Sequence, residues 1–89
     1  MQDKAWSPRL NPDVKLTVID DEAVLFDREN ERVHQLDAVG TSMLLACDGA
    51  RSVDDIVTLL IERYDVEESR LHADTADLLA RLRALGILV

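Results

Sequence analysis

The stretch Leu36-Asp-Ala-Val-Gly-Thr-Ser-Met-Leu-Leu-Ala-Cys-Asp-Gly-Ala-Arg-Ser-Val-Asp-Asp-Ile56 most constrains what this chain can become. It specifies two short helices and the turn between them. Asp37 is placed to cap a helix beginning near Ala38, because a side-chain oxygen there satisfies amides that have no partner inside the helix. Met43, Leu44 and Leu45 give that helix, running to about Cys47, its apolar side. Asp48-Gly49 ends it, since glycine accepts the left-handed conformation a helix terminus favours. Ser52-Val-Asp-Asp55 then reads as a capping box opening the next helix. No nucleophile with a positioned base, metal-ligand cluster or phosphate-binding loop is written here or elsewhere, so catalytic and metal residues are expected to be none. Such a chain acts through the surfaces its scaffold presents.

Eighty-nine residues suit one domain with a modest, largely aliphatic core. One Phe, one Tyr and one Trp are too few for base stacking or an aromatic cage. Cys47 is the single cysteine, which excludes an internal disulfide and a thiol zinc site, and its apolar neighbours mark it as a plain buried thiol. His34 and His72 have no third ligand at a useful spacing, and no cofactor is expected. The first residues lack the apolar run of a signal peptide, and no stretch approaches membrane-spanning length. The expectation is a cytoplasmic protein without membrane contact.

Net charge is −8. Much of the excess lies between Val53 and Leu79, where Asp54, Asp55, Glu62, Asp65, Glu67, Glu68, Asp74 and Asp77 face Arg63 and Arg70. That surface repels phosphate backbones, so nucleic acid is not an expected partner. Adjacent carboxylates such as Asp54-Asp55 do not share a helix face, and capping explains them better than acid–base catalysis.

Residues 1–13 contain both prolines and no periodic pattern, and read as an N-terminal tail that becomes ordered where it meets a domain over 14–89. Trp6 can tuck against the edge of the core or stand free. Three short strands are expected next: Val14–Val18, Ala23–Phe26 and Glu31–Leu36, joined by Asp20-Asp21 and by Asp27-Arg-Glu-Asn30. Short turns make them an antiparallel meander whose third strand is an edge. A second helix follows from Val53 to about Tyr64, with Ile56, Leu59, Leu60 and Tyr64 on one side. Asp65-Val-Glu-Glu68 reads as another capping box, opening a third helix that continues to Leu85 before Gly86 stops it. On a helical wheel Leu71, Thr75, Leu78, Leu82 and Leu85 form the expected core stripe. His72, Ala76, Leu79 and Arg83 form a second stripe, either the rim of a wide core face or the wall of a groove.

Three strands followed by three helices, two of them joined by a tight turn, describe an α+β, winged helix-turn-helix-like fold: a three-stranded antiparallel sheet, then three helices. The chain resembles the PqqD family, small peptide-binding proteins also called RiPP recognition elements (RiPP being a ribosomally made, post-translationally modified peptide). The likeness is carried by Pro8-Arg-Leu-Asn-Pro-Asp-Val14 with Leu16, by Leu36-Asp37, and by Cys47-Asp-Gly49 with Ser52-Val-Asp-Asp-Ile56. Asp74, Leu78, Leu79, Leu82 and Gly86-Ile-Leu88 complete it. One departure is the turn Asp27-Arg-Glu-Asn-Glu31, where PqqD proper usually has a turn with proline and glycine. The resemblance is therefore to the broader PqqD-like group, serving pyrroloquinoline quinone biosynthesis or another system such as one for lasso peptides.

The resemblance implies a noncatalytic adaptor, not an enzyme. It would bind the leader segment of a precursor peptide and deliver it to a maturation enzyme, a radical SAM protein or another RiPP-modifying enzyme. The leader would lie as an added strand on the third strand, in the cleft between it and the third helix. An open edge supports this physically: its unpaired N–H and C=O groups can be satisfied by an extended peptide, while side-chain pockets supply selectivity. The expected site is Glu31, Arg32, Val33, His34, Gln35 and Leu36 with His72, Thr75, Ala76, Leu79 and Arg83. Leu79 is the expected apolar anchor, and Arg83 or Arg32 the expected partner of an acidic leader residue. Alternatives are a DNA-binding winged-helix protein, an enzyme using Cys47, and a purely structural subunit of a modifying-enzyme complex.

Overall fold

The computed structural model describes residues 6–89. Its element order is β1 (Val14–Ile19), β2 (Glu22–Asp27), β3 (Arg32–Leu36), α1 (Ala38–Leu45), α2 (Val53–Ile61) and α3 (Glu68–Ala84). The sheet is antiparallel with strand order β1-β2-β3, as the short turns require. Asp20 and Asp21 both take positive φ, 50° and 66°, which gives a two-residue hairpin turn matched to strand twist. The second turn is longer. Asp27 accepts from the amides of Glu29 and Asn30 and from Asn30 Nδ2, and Glu31 closes the turn with φ of 52°. Glu31 therefore belongs to the turn and β3 starts at Arg32, one residue later than the sequence suggested. Those bonds, that to the Asn30 side chain foremost, hold the Asp27 carboxyl below its ordinary value.

Strand alternation sets which residues reach the core. Across the sheet Ala23 opposes Leu36, Leu25 opposes His34 and Asp27 opposes Arg32 on one face, with Val14 and Leu16 beyond them on β1. Ala23, Leu25 and Val14 are buried, whereas Val33 on the opposite face is 64% exposed. Helices cover only the first face. Thr41 fastens α1 to it: its buried hydroxyl accepts from the Ala23 amide at 2.7 Å and donates to the Leu36 carbonyl at 3.4 Å.

The helix caps follow the local sequence closely. Asp37 accepts from the Gly40 amide at 2.8 Å, and Ser52 with Asp55 makes the reciprocal capping box. At the α1–α2 turn Gly49 has φ of 82°, and Asp48 accepts from the amides of Ala50 and Arg51. Gly86, with φ of 79°, ends α3 through bonds from Gly86 N to the Arg83 carbonyl and from Ile87 N to the Leu82 carbonyl. Buried Leu82 and Ile87 supply the apolar contact that accompanies such a cap. The capping box expected at Asp65 does not form. Helix α3 starts at Glu68 with Glu67 at its N-cap and no side-chain cap, so Asp65 lies too early in the chain to reach the first turn.

The segment before β1 is strapped to the C-terminus. Arg9 and Val89 exchange backbone bonds of 3.2 and 2.9 Å, Asn11 N donates to the Ile87 carbonyl, and Asn11 Nδ2 to Gly86. Pro8 is fully buried and its carbonyl accepts from Gly49 N. The choice left open for Trp6 resolves as tucked: its ring packs against the core, its Nε1 donates to the Val89 carbonyl, and Arg83 lies 4.4 Å above it. Met1 to Ala5 lie outside the described residues. Among those described, no helix is long and apolar enough to cross a membrane.

Candidate functional site

On the far side of the sheet from β1, β3 is hydrogen-bonded to β2 alone among the described residues, so its outer row of backbone groups faces outward. Beside this edge lies an open cleft of about 360 Å³ lined by Gln35 and Leu36 of β3, Asp37, Val39, Gly40 and Met43 around α1, and Asp74 and Leu78 of α3. Three elements must converge to build it, and Gly40 lets them. A Cβ at Gly40 would stand 3.2 Å from Asp37 Oδ1, tighter than ordinary packing, and at van der Waals contact, 3.4 Å, from both Leu36 Cβ and Leu78 Cδ2. Leu36, Val39, Met43 and Leu78 give the cleft an apolar floor. Asp37 is committed to its helix cap, while the Asp74 side chain is 61% exposed and pairs with Arg70 at 3.9 Å.

The structure redistributes the residues expected here. Leu36 and Gln35 line the cleft. Arg32 and His34 lie on the covered face of β3, towards its start, and Val33 on the opposite face. From α3 the expected wall is displaced. Leu79 and Thr75 are both 0% exposed, with Leu71 and Leu82 beside them, so the Leu79 ring of contacts is core rather than cleft. Thr75 Oγ1 is buried without a hydrogen-bond partner among the described residues. His72 turns to α2, where its Nε2 lies 2.9 Å from Asp54 Oδ1. Half-buried Ala76 follows it one turn on, and Arg83 stacks on Trp6. The buried arc of α3 is thus rotated by roughly 35° from the expected stripe at 100° per residue. Leu78 is half-buried, packing against the core while also lining the cleft, and Leu79 lies wholly in the core.

Gly40, Asp74 and Leu78 were missed as cleft residues for one reason: which flank of a helix meets a distant strand is not a local property. A glycine inside α1 was the available signal, since it marks a close approach of other elements. Cys47 does not line the cleft. It is buried, donates to the Met43 carbonyl, and burial with the neighbouring Asp48 pushes its thiol up to about 12. Such a thiol is protonated at neutral pH and a poor nucleophile. Among the described residues no cluster of His, Cys, Asp or Glu can hold a metal ion.

The family model described as coenzyme PQQ synthesis protein D (PqqD) matches residues 22–88. The chain belongs to the PqqD family. The matched span starts at β2, so it includes β3, α1 and α3 and with them every wall of the cleft. Among solved structures, TbiB1 in complex with the TbiA(beta) leader peptide is similar at 26% identity and a TM-score of 0.82, over 90% of this chain and 93% of that one. The PqqD truncation of Methylobacterium extorquens PqqCD, a functional stand-alone RiPP recognition element studied by solution NMR, matches at 30% identity and a TM-score of 0.74, over 92% of this chain and 87% of that one. A lasso peptide synthetase B1 complexed with the leader peptide shares the fold at 24% identity and a TM-score of 0.82, over 93% and 98% of the two chains. No curated protein matches. The PqqD-type arrangement of a three-stranded antiparallel sheet followed by three helices is therefore shared along nearly the whole chain.

Proposed function

We propose that this PqqD-family protein captures the leader segment of a ribosomally made precursor peptide by strand addition on β3 and presents it to a maturation enzyme, with no chemistry of its own. One observation carries the reading: an edge strand with one neighbour stands beside an apolar cleft, in a chain whose similar structures include a leader-peptide complex. The backbone of Arg32–Leu36 would supply the ladder, satisfying the guest's amides and carbonyls whatever its sequence. Ordering a flexible leader costs on the order of 2–5 kcal/mol. Full burial of one large aliphatic side chain returns about 1.5–3 kcal/mol. Backbone bonds alone thus need at least one apolar anchor, and the floor formed by Leu36, Val39, Met43 and Leu78 receives it. Leu78 takes the place that the sequence alone assigned to Leu79.

A DNA-binding role fits poorly. Glu67, Glu68, Asp74 and Asp77 of the would-be recognition helix and its cap are all exposed, against Arg70 and Arg81 on the same surface.

The test is selection of random peptides displayed against the immobilised protein, followed by NMR titration of the isotope-labelled chain with a recovered peptide. Amide shifts should concentrate in residues 32–43 and 74–78 and be weak in residues 6–13. Retention of no peptide above the level held by Leu78→Glu, or shifts confined to the α2 flank of α3, would overturn the reading.

A further inference from the structure

We infer that the peptide taken by this cleft carries a basic side chain two residues away from its apolar anchor, paired with Asp74. The inference rests on the leader-binding reading and adds to it the chemistry of the ligand.

Asp74 and Leu78 line the same cleft and stand four residues apart on α3, so the helix rise sets them about 6 Å apart along its axis. A docked strand places every second side chain on one face, with a repeat of about 6.6 Å. The two spacings match. A guest strand that runs alongside α3 with one side chain seated against Leu78 brings the next side chain on its cleft face, two residues along, within reach of Asp74.

Charge then decides what that side chain is. Among the described residues no Lys or Arg lines the cleft, and its second carboxylate, Asp37, already accepts from the Gly40 amide. Asp74 is bound only loosely, by an exposed Arg70 at 3.9 Å, so its carboxylate can change partner at little cost. An acidic guest residue at this position meets Asp74, Asp37 and a molecule of net charge −8. A Lys or Arg meets a carboxylate at the rim of an apolar floor, where its stem packs while its head stays hydrated. The acidic leader residue expected from sequence to pair with Arg83 or Arg32 finds neither in the cleft: Arg83 stacks on Trp6 across α3, and Arg32 begins β3, four residues before Leu36.

The test uses one displayed library of random peptides of about fifteen residues, selected in parallel on the wild-type protein and on Asp74→Asn. Wild-type selection should enrich Lys or Arg two positions from a large apolar residue. Selection on Asp74→Asn should keep the apolar residue and lose the basic one. Within one recovered peptide, Lys→Gln should weaken binding to the wild-type protein by about two- to fivefold, less at high salt, and leave binding to Asp74→Asn unchanged. Recovery of cleft-binding peptides without that basic position, or its persistence on Asp74→Asn, overturns the inference and leaves the leader-binding reading standing. Recovery of no peptide at all removes both.

Discussion

The two flanks of α3 have opposite fates. On one flank the protein finishes its own packing: His72 meets Asp54 of α2, Arg83 lies over Trp6, and the N-terminal strap is laced to the C-terminal residues that follow the helix. On the other flank Leu78 and Asp74 look across a cleft to β3, which has no strand beyond it among the described residues. The same helix thus carries a sealed side and an open side, separated by the buried ridge of Leu71, Thr75, Leu79 and Leu82. With the cleft as the proposed peptide site, stability and binding fall on opposite sides of that ridge, and substitutions should address one without the other.

The sharpest way to break this division is at neighbouring leucines. Leu79→Ala should cost about 2–5 kcal/mol in urea unfolding, because it opens a cavity in a site with no exposure. Leu79→Glu should fail to fold. Leu78→Glu should instead fold with a melting temperature within a few degrees of wild type and lose at least about tenfold in affinity for a display-selected peptide. Equal destabilisation by the two glutamates would erase the distinction between ridge and open flank.

On the sealed flank, Trp6→Ala removes the cation–π contact with Arg83 and the bond to the Val89 carbonyl. A loss of about 1–2 kcal/mol in stability is expected, with peptide affinity unchanged. A change in affinity would mean that the two flanks communicate through the helix.

The smallest effect concerns pH. Asp27 and Asp48 both have carboxyls held below the ordinary value of 3.8, Asp27 chiefly by the Asn30 side chain and Asp48 chiefly by the Ala50 amide. Because the unfolded chain then binds these protons more readily, their contribution is complete above the unfolded value and is lost as pH falls through the lower folded values. Urea midpoints should be level from neutral pH down to about 5 and fall below about 4, less steeply in Asp27→Asn. Asp27 ends β2 and Asp48 lies in the α1–α2 turn, both outside the cleft lining, so peptide affinity should not follow that fall until the protein itself unfolds.

What could be read from the sequence has a common character. Asp37, the Ser52/Asp55 capping box, Gly49 and Gly86 act on groups a few residues away, so their roles are written in local order and the structure reproduces them. Strand alternation and short turns are equally local, and the turns placed β3 at the edge of a meander. Asp65-Val-Glu-Glu68 shows the limit even here. The spacing of a cap was present, but the chain enters α3 too late to use it.

The tertiary structure alone decided the rotation of α3 about its own axis. Leu78 and Leu79 lie side by side on a broad apolar arc, and nothing within the helix distinguishes them. The choice is made by partners remote in sequence: α1 brought close by Gly40, α2 held through Asp54 and His72, and a strap anchored by Trp6 to Arg83 and Val89. Local sequence thus determined that an apolar helix and an open strand exist, since caps and alternation depend on near neighbours. Which residues face each other across the cleft depends on how separate elements share one small core, and that balance is struck only when the whole chain has packed.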